Sequence, residues 1–125
     1  MLAAEAIKLT NGSVNATAML ILWMSAFASA FIDNIPFVAT LIPLIQDMGQ
    51  MGLSNLDPMW WSLALGACLG GNGTLIGASA NVVVASIAAQ RGKQISFLGF
   101  MKIAFPIMIM TIAIASIYVW IRYLL

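Results

Sequence analysis

Apolar residues dominate this chain in long stretches, and the informative positions are the few polar ones that interrupt them. Met1 to Asn15 is mixed, with Glu5, Lys8 and a polar patch from Thr10 to Asn15, and reads as a short interfacial N-terminal segment (residues 1–15). Two apolar arms follow, Ala16 to Ile32 and Ile35 to Met48, parted by Asp33-Asn34-Ile35-Pro36. Each arm is marginal or short for a full crossing of a bilayer. Proline drives the residue before it out of helical geometry and suits the first position of a helix, so the break at 33–36 predicts two separate helices with Pro36 opening the second. Residues 16–48 then form either a re-entrant hairpin or two tilted spans. Gly49 to Pro58 reads as a polar loop edged by Asp47 and Asp57. Met59 to Gln90 is apolar again but too long for one straight span, and Gly70-Gly71-Asn72-Gly73-Thr74 interrupts it. From Met59 to Gly70 a helix rises roughly 17 Å, which sets this interruption near the bilayer midplane. The pattern predicts a discontinuous helix, unwound over 70–77. Arg91 to Lys102 is a polar connector, and the apolar stretch Ile103 to Ile121 within 99–125 predicts one full transmembrane helix.

Composition fixes the class. The chain has 125 residues, is 62% hydrophobic and 7% charged, and has a mean hydropathy of +1.02, values expected of an all-α integral membrane protein. A net charge of +1 without a basic cluster gives no footprint for nucleic acid. The absence of histidine excludes a histidine proton relay and a Ser/His triad, and the single Cys68 makes no disulfide framework, so packing is its expected role and enzymatic activity is not expected. The first residues lack the layout of a cleavable signal peptide, which leaves targeting to the membrane segments themselves. Three of the five basic residues, Arg91, Lys93 and Lys102, lie in the 91–102 connector, so the positive-inside rule puts that loop in the cytoplasm and the C-terminus outside. Trp60, Trp61, Trp120 and Tyr123 then fall together at the outer interface.

Polar groups at membrane depth are tolerated where protein, water or an ion satisfies them. Asp33 is the one ionisable side chain inside the apolar runs and takes the coupling role in this reading. Asn34 adds an amide oxygen beside Pro36, and Asn72, Gly73, Thr74, Ser79 and Asn81 supply neutral oxygens and close backbone approach at the second break. Hard oxygen ligands of this kind suit Na⁺ or H⁺, with Asp33, Asn34 and Asn81 as the Na⁺ set. Blander readings stand beside this one. Asp33 could cap the helix that follows it, and Ser79 and Asn81 could serve interhelical hydrogen bonds. Gly66, Gly70, Gly73 and Gly77 also fit a small-residue packing stripe, the pattern of a small non-transporting membrane protein or accessory subunit.

The segments Ser29-Ala-Phe-Ile-Asp33-Asn-Ile-Pro-Phe37 and Leu65-Gly-Ala-Cys-Leu-Gly-Gly-Asn-Gly-Thr-Leu-Ile-Gly-Ala-Ser-Ala-Asn-Val82 resemble the C-terminal half of the arsenite permease, sodium-proton antiporter and melanocyte P-protein family. That family belongs to the ion-transporter superfamily with citrate transporter-like domains. The resemblance covers roughly Ala16 to Leu125 and implies one of two inverted repeats, each with a re-entrant hairpin and an unwound helix. It implies an elevator-like motion, usually in a homodimer, and favours the hairpin over two spans. Related dicarboxylate transporters carry Ser-Asn-Thr at the hairpin tip; Asp33-Asn34-Ile35 stands there here, which favours cation or proton coupling. With one hairpin and one broken helix, the chain is expected to be the C-terminal repeat of a Na⁺- or H⁺-coupled anion or cation permease. Its expected partners are an inorganic ion or small anion, the lipid bilayer, and a missing first repeat or homodimer partner.

Overall fold

The computed structural model describes residues 2–9, 14–51 and 55–124, and all regular structure among them is helical. Six α-helices follow one another: α1 Leu2–Leu9, α2 Val14–Phe31, α3 Asn34–Gln50, α4 Asp57–Gly70, α5 Ser79–Gln90 and α6 Phe97–Val119, whose end continues as a π-helical turn, Trp120–Leu124. A short 3₁₀ turn, Leu75–Gly77, lies between α4 and α5.

Several boundaries differ from those expected. α3 starts at Asn34, so Ile35 is helical and Pro36 is the third residue rather than the first. Pro36 loses nothing there, because the first-turn amides of a helix have no intrahelical acceptor. The presumed loop at Gly49–Pro58 is shorter than its polarity suggested: α3 runs through Gln50, and Asp57 and Pro58 already form the first turn of α4, with proline in a favoured early position. α6 begins at Phe97, six residues before the apolar stretch, because Ser96 caps it by accepting a hydrogen bond from the Gly99 amide at 3.0 Å. Lys102 therefore sits within the helix, and the connector is 91–96. Gly92 ends α5 with φ +80°, and the Gly92 and Lys93 amides bond back to the Ala89 and Ala88 carbonyls, a Schellman closure. Of the N-terminal segment, α1 and the start of α2 at Val14 are seen; the Thr10–Ser13 part of the polar patch lies outside the described residues. Cys68 is exposed rather than packed.

The core is built on α2 against α4. A methyl group on Gly66 would sit 2.8 Å from Ser25 Cβ, and one on Gly70 would sit 2.6 Å from Ala26 Cα, so the two backbones touch where glycine leaves room. Leu22 faces Gly66 and, four residues on in each helix, Ala26 faces Gly70; one turn further Ala30 meets Thr74. Equal steps in the same direction make α2 and α4 parallel and in register. The intervening α3 therefore returns between them in sequence, sharing a cluster of Ile21, Ile45, Met48, Met59 and Leu63 with both. α6 runs antiparallel to α4, since Trp61 stacks on Tyr123 with ring centroids 6.2 Å apart while Gly73, at the other end, approaches Met108. A second cluster, Leu22, Ala26, Ala30, Met108, Ile112 and Ala115, fills the seam between α2 and α6.

Among the described residues, two helices are long and apolar enough to cross a membrane, Val14–Phe31 and the α6 segment Phe97–Tyr123. Only 22% of the α6 window is buried, and Ile103, Ile114, Ile117 and Ile121 are each at least 60% exposed. A soluble core helix would bury those side chains; hydrocarbon solvates them at no cost.

Candidate functional site

Both interruptions open beside the same helix end. α2 stops at Phe31, and Ile32 and Asp33 form a two-residue gap before α3. The last carbonyls of α2 have no intrahelical partner beyond the Ile32 amide bonded to Ala28. One of them, that of Ala30, is used by the second break. The Thr74 hydroxyl, fully buried, donates to the Ala30 carbonyl, and the buried Ser29 hydroxyl donates to the Ala67 carbonyl of α4 at 2.7 Å. Gly77 closes the contact. A methyl there would lie 2.6 Å from the Gly71 carbonyl oxygen, 2.9 Å from that of Ala30 and 3.0 Å from that of Ser29, so three carbonyls converge on a position only glycine can occupy.

The second break is built from tightened backbone. The amides of Asn72, Gly73 and Gly77 bond three residues back, to Leu69, Gly70 and Thr74, in place of the four-residue step of an α-helix. Thr74 and Ala78 are extended, at φ −137° and −147°. Asn81, half-buried in the first turn of α5, reaches back with its side-chain Nδ2 to donate to the Gly71 and Thr74 carbonyls, each at 3.0 Å. That amide stitches the unwound segment onto α5 and leaves its own carbonyl oxygen available.

The expected residues divide into those brought together and those that are not. Gly73, Thr74 and Asn81 meet at the α2 end, where Gly73 is buried and a methyl on it would lie 3.2 Å from Ala30 Cβ and 3.1 Å from Met108 Cε. Asp33 and Asn34, both half-buried, lie three and four residues beyond Ala30. Asp33 holds the capping position of α3, yet its side chain makes no capping hydrogen bond, so the helix-cap explanation for this carboxylate fails. Asn34 lines a shallow cavity with Ile35, Val38 and Ile42. Pro36 and Ser79 are exposed, and Asn72 turns away from the α2 end to line an open cavity along the first half of α6. Sequence reasoning passed over Ser29 and the carbonyls of Ala30 and Gly71. Ser25 and Ser29, one turn apart in the apolar second half of α2, were the available signal.

The electrostatics follow from the helix ends. α2 and α4 finish here and α3 and α5 start here, so carbonyl ends and amide ends face one region and can hold a cation and an anion respectively. No group of three or more His, Cys, Asp and Glu occurs among the described residues, so a hard cation here would rest on neutral oxygens and one carboxylate.

Known proteins are similar to this sequence. The chain is 49% identical over 124 residues, 98% of its length, to an uncharacterized transporter of Mycobacterium tuberculosis. It is 44% identical over 125 residues to a 46 kDa membrane protein of Mycobacterium leprae, and 50% identical over 111 residues, 87% of the chain, to the P protein of Mus musculus. It spans 29% of the length of each of these mycobacterial relatives and 13% of the mouse protein. No solved structure matches it. The profile of the citrate transporter family covers residues 2–66, the segment that holds the first break and the α2–α4 seam up to Gly66. With its apolar, lipid-suited helices, the chain is a membrane protein and belongs to the citrate transporter family, a family of transporters and not of enzymes.

Proposed function

We propose that the chain is the C-terminal repeat of a secondary ion permease, in which α2 and α3 form a re-entrant hairpin and α4 and α5 the two halves of a discontinuous helix. The observation that carries this reading is the Thr74–Ala30 hydrogen bond. It ties the hairpin tip to the unwound segment, so two interruptions far apart in sequence make one polar region. Asp33 takes the coupling role, with Na⁺ or H⁺ as the coupling ion and Asn34 and Asn81 contributing oxygens. An inorganic ion or small anion is the substrate class. The complementary half of the site comes from a first repeat or a dimer partner, in keeping with relatives of which this chain spans 29%.

The basic connector faces the cytoplasm and the C-terminus the outside. Trp61 and Tyr123, stacked at the opposite end from the connector, give that outer end its interfacial aromatics.

The Gly66 and Gly70 contacts favour a second reading, a small membrane protein whose glycines serve assembly alone. The two separate on Asp33. In proteoliposomes carrying the chain together with its complementary repeat, Asp33→Asn is expected to preserve assembly and to abolish uptake driven by a Na⁺ or proton gradient. Unchanged gradient-driven uptake in that variant would sink the transport reading.

A further inference from the structure

α5 buries none of its residues, and two adjoining cavities meet at the connector that joins it to α6. The larger, about 560 Å³, runs along α6 past Ser96, Phe100, Ile103, Ala104 and Ile107 to Asn72. From Gly99 to Ile107 it follows α6 for roughly 12 Å. Its lining is mostly apolar. The smaller, about 470 Å³, lies between Ala85 and Ala89 of α5 and the connector residues Gln94, Ile95 and Ser96. Gln94, Ile95 and Ser96 border both, so a single molecule can occupy the two. Exposed Arg91 and Lys93 flank the smaller cavity in sequence, and the four acidic residues, Glu5, Asp33, Asp47 and Asp57, all lie in other segments.

This order, cationic and polar at the connector and apolar towards the level of the second break, is the order of a phospholipid entering from the headgroup region. We propose that the groove along the connector and the first half of α6 binds one anionic phospholipid, its acyl chain beside Phe100, Ile103, Ala104 and Ile107 and its phosphate beside Gln94 and Ser96, next in sequence to the exposed Arg91 and Lys93. The bound lipid covers apolar surface along α6 that the described residues leave open. It requires membrane placement but not transport, so it stands or falls independently of flux.

The test reconstitutes the chain in vesicles of equimolar phosphatidylglycerol and phosphatidylcholine with identical acyl chains, extracts it in mild detergent, and weighs the retained lipid by native mass spectrometry. Two basic residues at a membrane surface predict a preference for phosphatidylglycerol of roughly 10- to 30-fold. The exposed double variant Arg91→Gln/Lys93→Gln should lose that preference without losing helix content. Ala104→Phe, which fills the acyl cavity, should release both lipids. Inorganic phosphate should not displace the bound lipid, since it lacks the chain. Equal retention of the two lipids by the unaltered protein would overturn the proposal, as would displacement by phosphate alone or a lipid-free dimer with this groove at its interface.

Discussion

At the scale of single residues, two glycines illustrate how differently the same residue type can be required. Gly70 is needed for space. Its α-carbon abuts the Ala26 backbone, and Gly70→Ala must push the helices apart at a cost of about 1–3 kcal/mol, readable as a lowered unfolding midpoint. Gly92 is needed for conformation. Nothing lies within 4 Å of a methyl there, yet its φ of +80° is left-handed, so Gly92→Ala is expected to cost about 1–2 kcal/mol without disturbing the α2–α4 seam. Thr74 is needed for its hydroxyl. Thr74→Val keeps the volume and strands the Ala30 carbonyl, for an expected loss of about 1–3 kcal/mol that Thr74→Ser largely restores; full stability of the valine variant would remove Thr74 from the account. The residue types at both breaks, Asp33, Asn34, Pro36 and the glycine cluster, are visible in sequence because they are rare in apolar surroundings. Ser29 was harder to notice, since a serine in a membrane helix usually bonds its own backbone, and its partner Ala67 is 38 residues away.

At the scale of elements, the punctuation is readable and the pairing is not. Proline and glycine have local chemistry, so they mark where α2 and α3, and α4 and α5, part. The exact starts depend on caps and first-turn tolerance, which is why α3 begins two residues before Pro36 and α6 six residues before Ile103. The parallel register of α2 with α4 is a long-range property. The glycine spacing hinted at a packed face but did not say against what. The structure shows that the stripe serves two ends: Gly66 and Gly70 pack against α2, while Gly73 and Gly77 belong to the unwound segment. Asn81 holds that segment to α5. Asn81→Leu removes two hydrogen bonds from the Gly71 and Thr74 carbonyls, and hydrogen exchange of the 72–79 amides is expected to quicken while α2 exchange is unchanged. Pro36→Ala, by contrast, should shift stability by less than about 0.5 kcal/mol, because the amide it restores has no acceptor in the first helical turn.

At the scale of the whole molecule, the polar ends of the bundle are unlike. The connector end carries Arg91 and Lys93, and the opposite end carries the Trp61–Tyr123 stack. In a Cys68→Ala background, Lys93→Cys is expected to react with a membrane-impermeant maleimide in inverted vesicles and to stay unlabelled in right-side-out ones; the reverse pattern would invert the topology. Composition alone made the chain a membrane protein, because 62% hydrophobic residues leave no aqueous alternative. Composition could not show that, among the described residues, α5 buries none of its residues and α6 few, for that depends on how the helices are arranged.

In the proposed permease the two interruptions form one ion-coupled site. Hydrogen exchange at Ile32–Asn34 and at Gly71–Ala78, followed in the transport-competent assembly with and without the coupling ion, tests it most directly. The ion is expected to slow exchange at both breaks together, and Asp33→Asn to remove the effect at both. A response confined to one break, or one that persists undiminished in the Asp33→Asn variant, would contradict it.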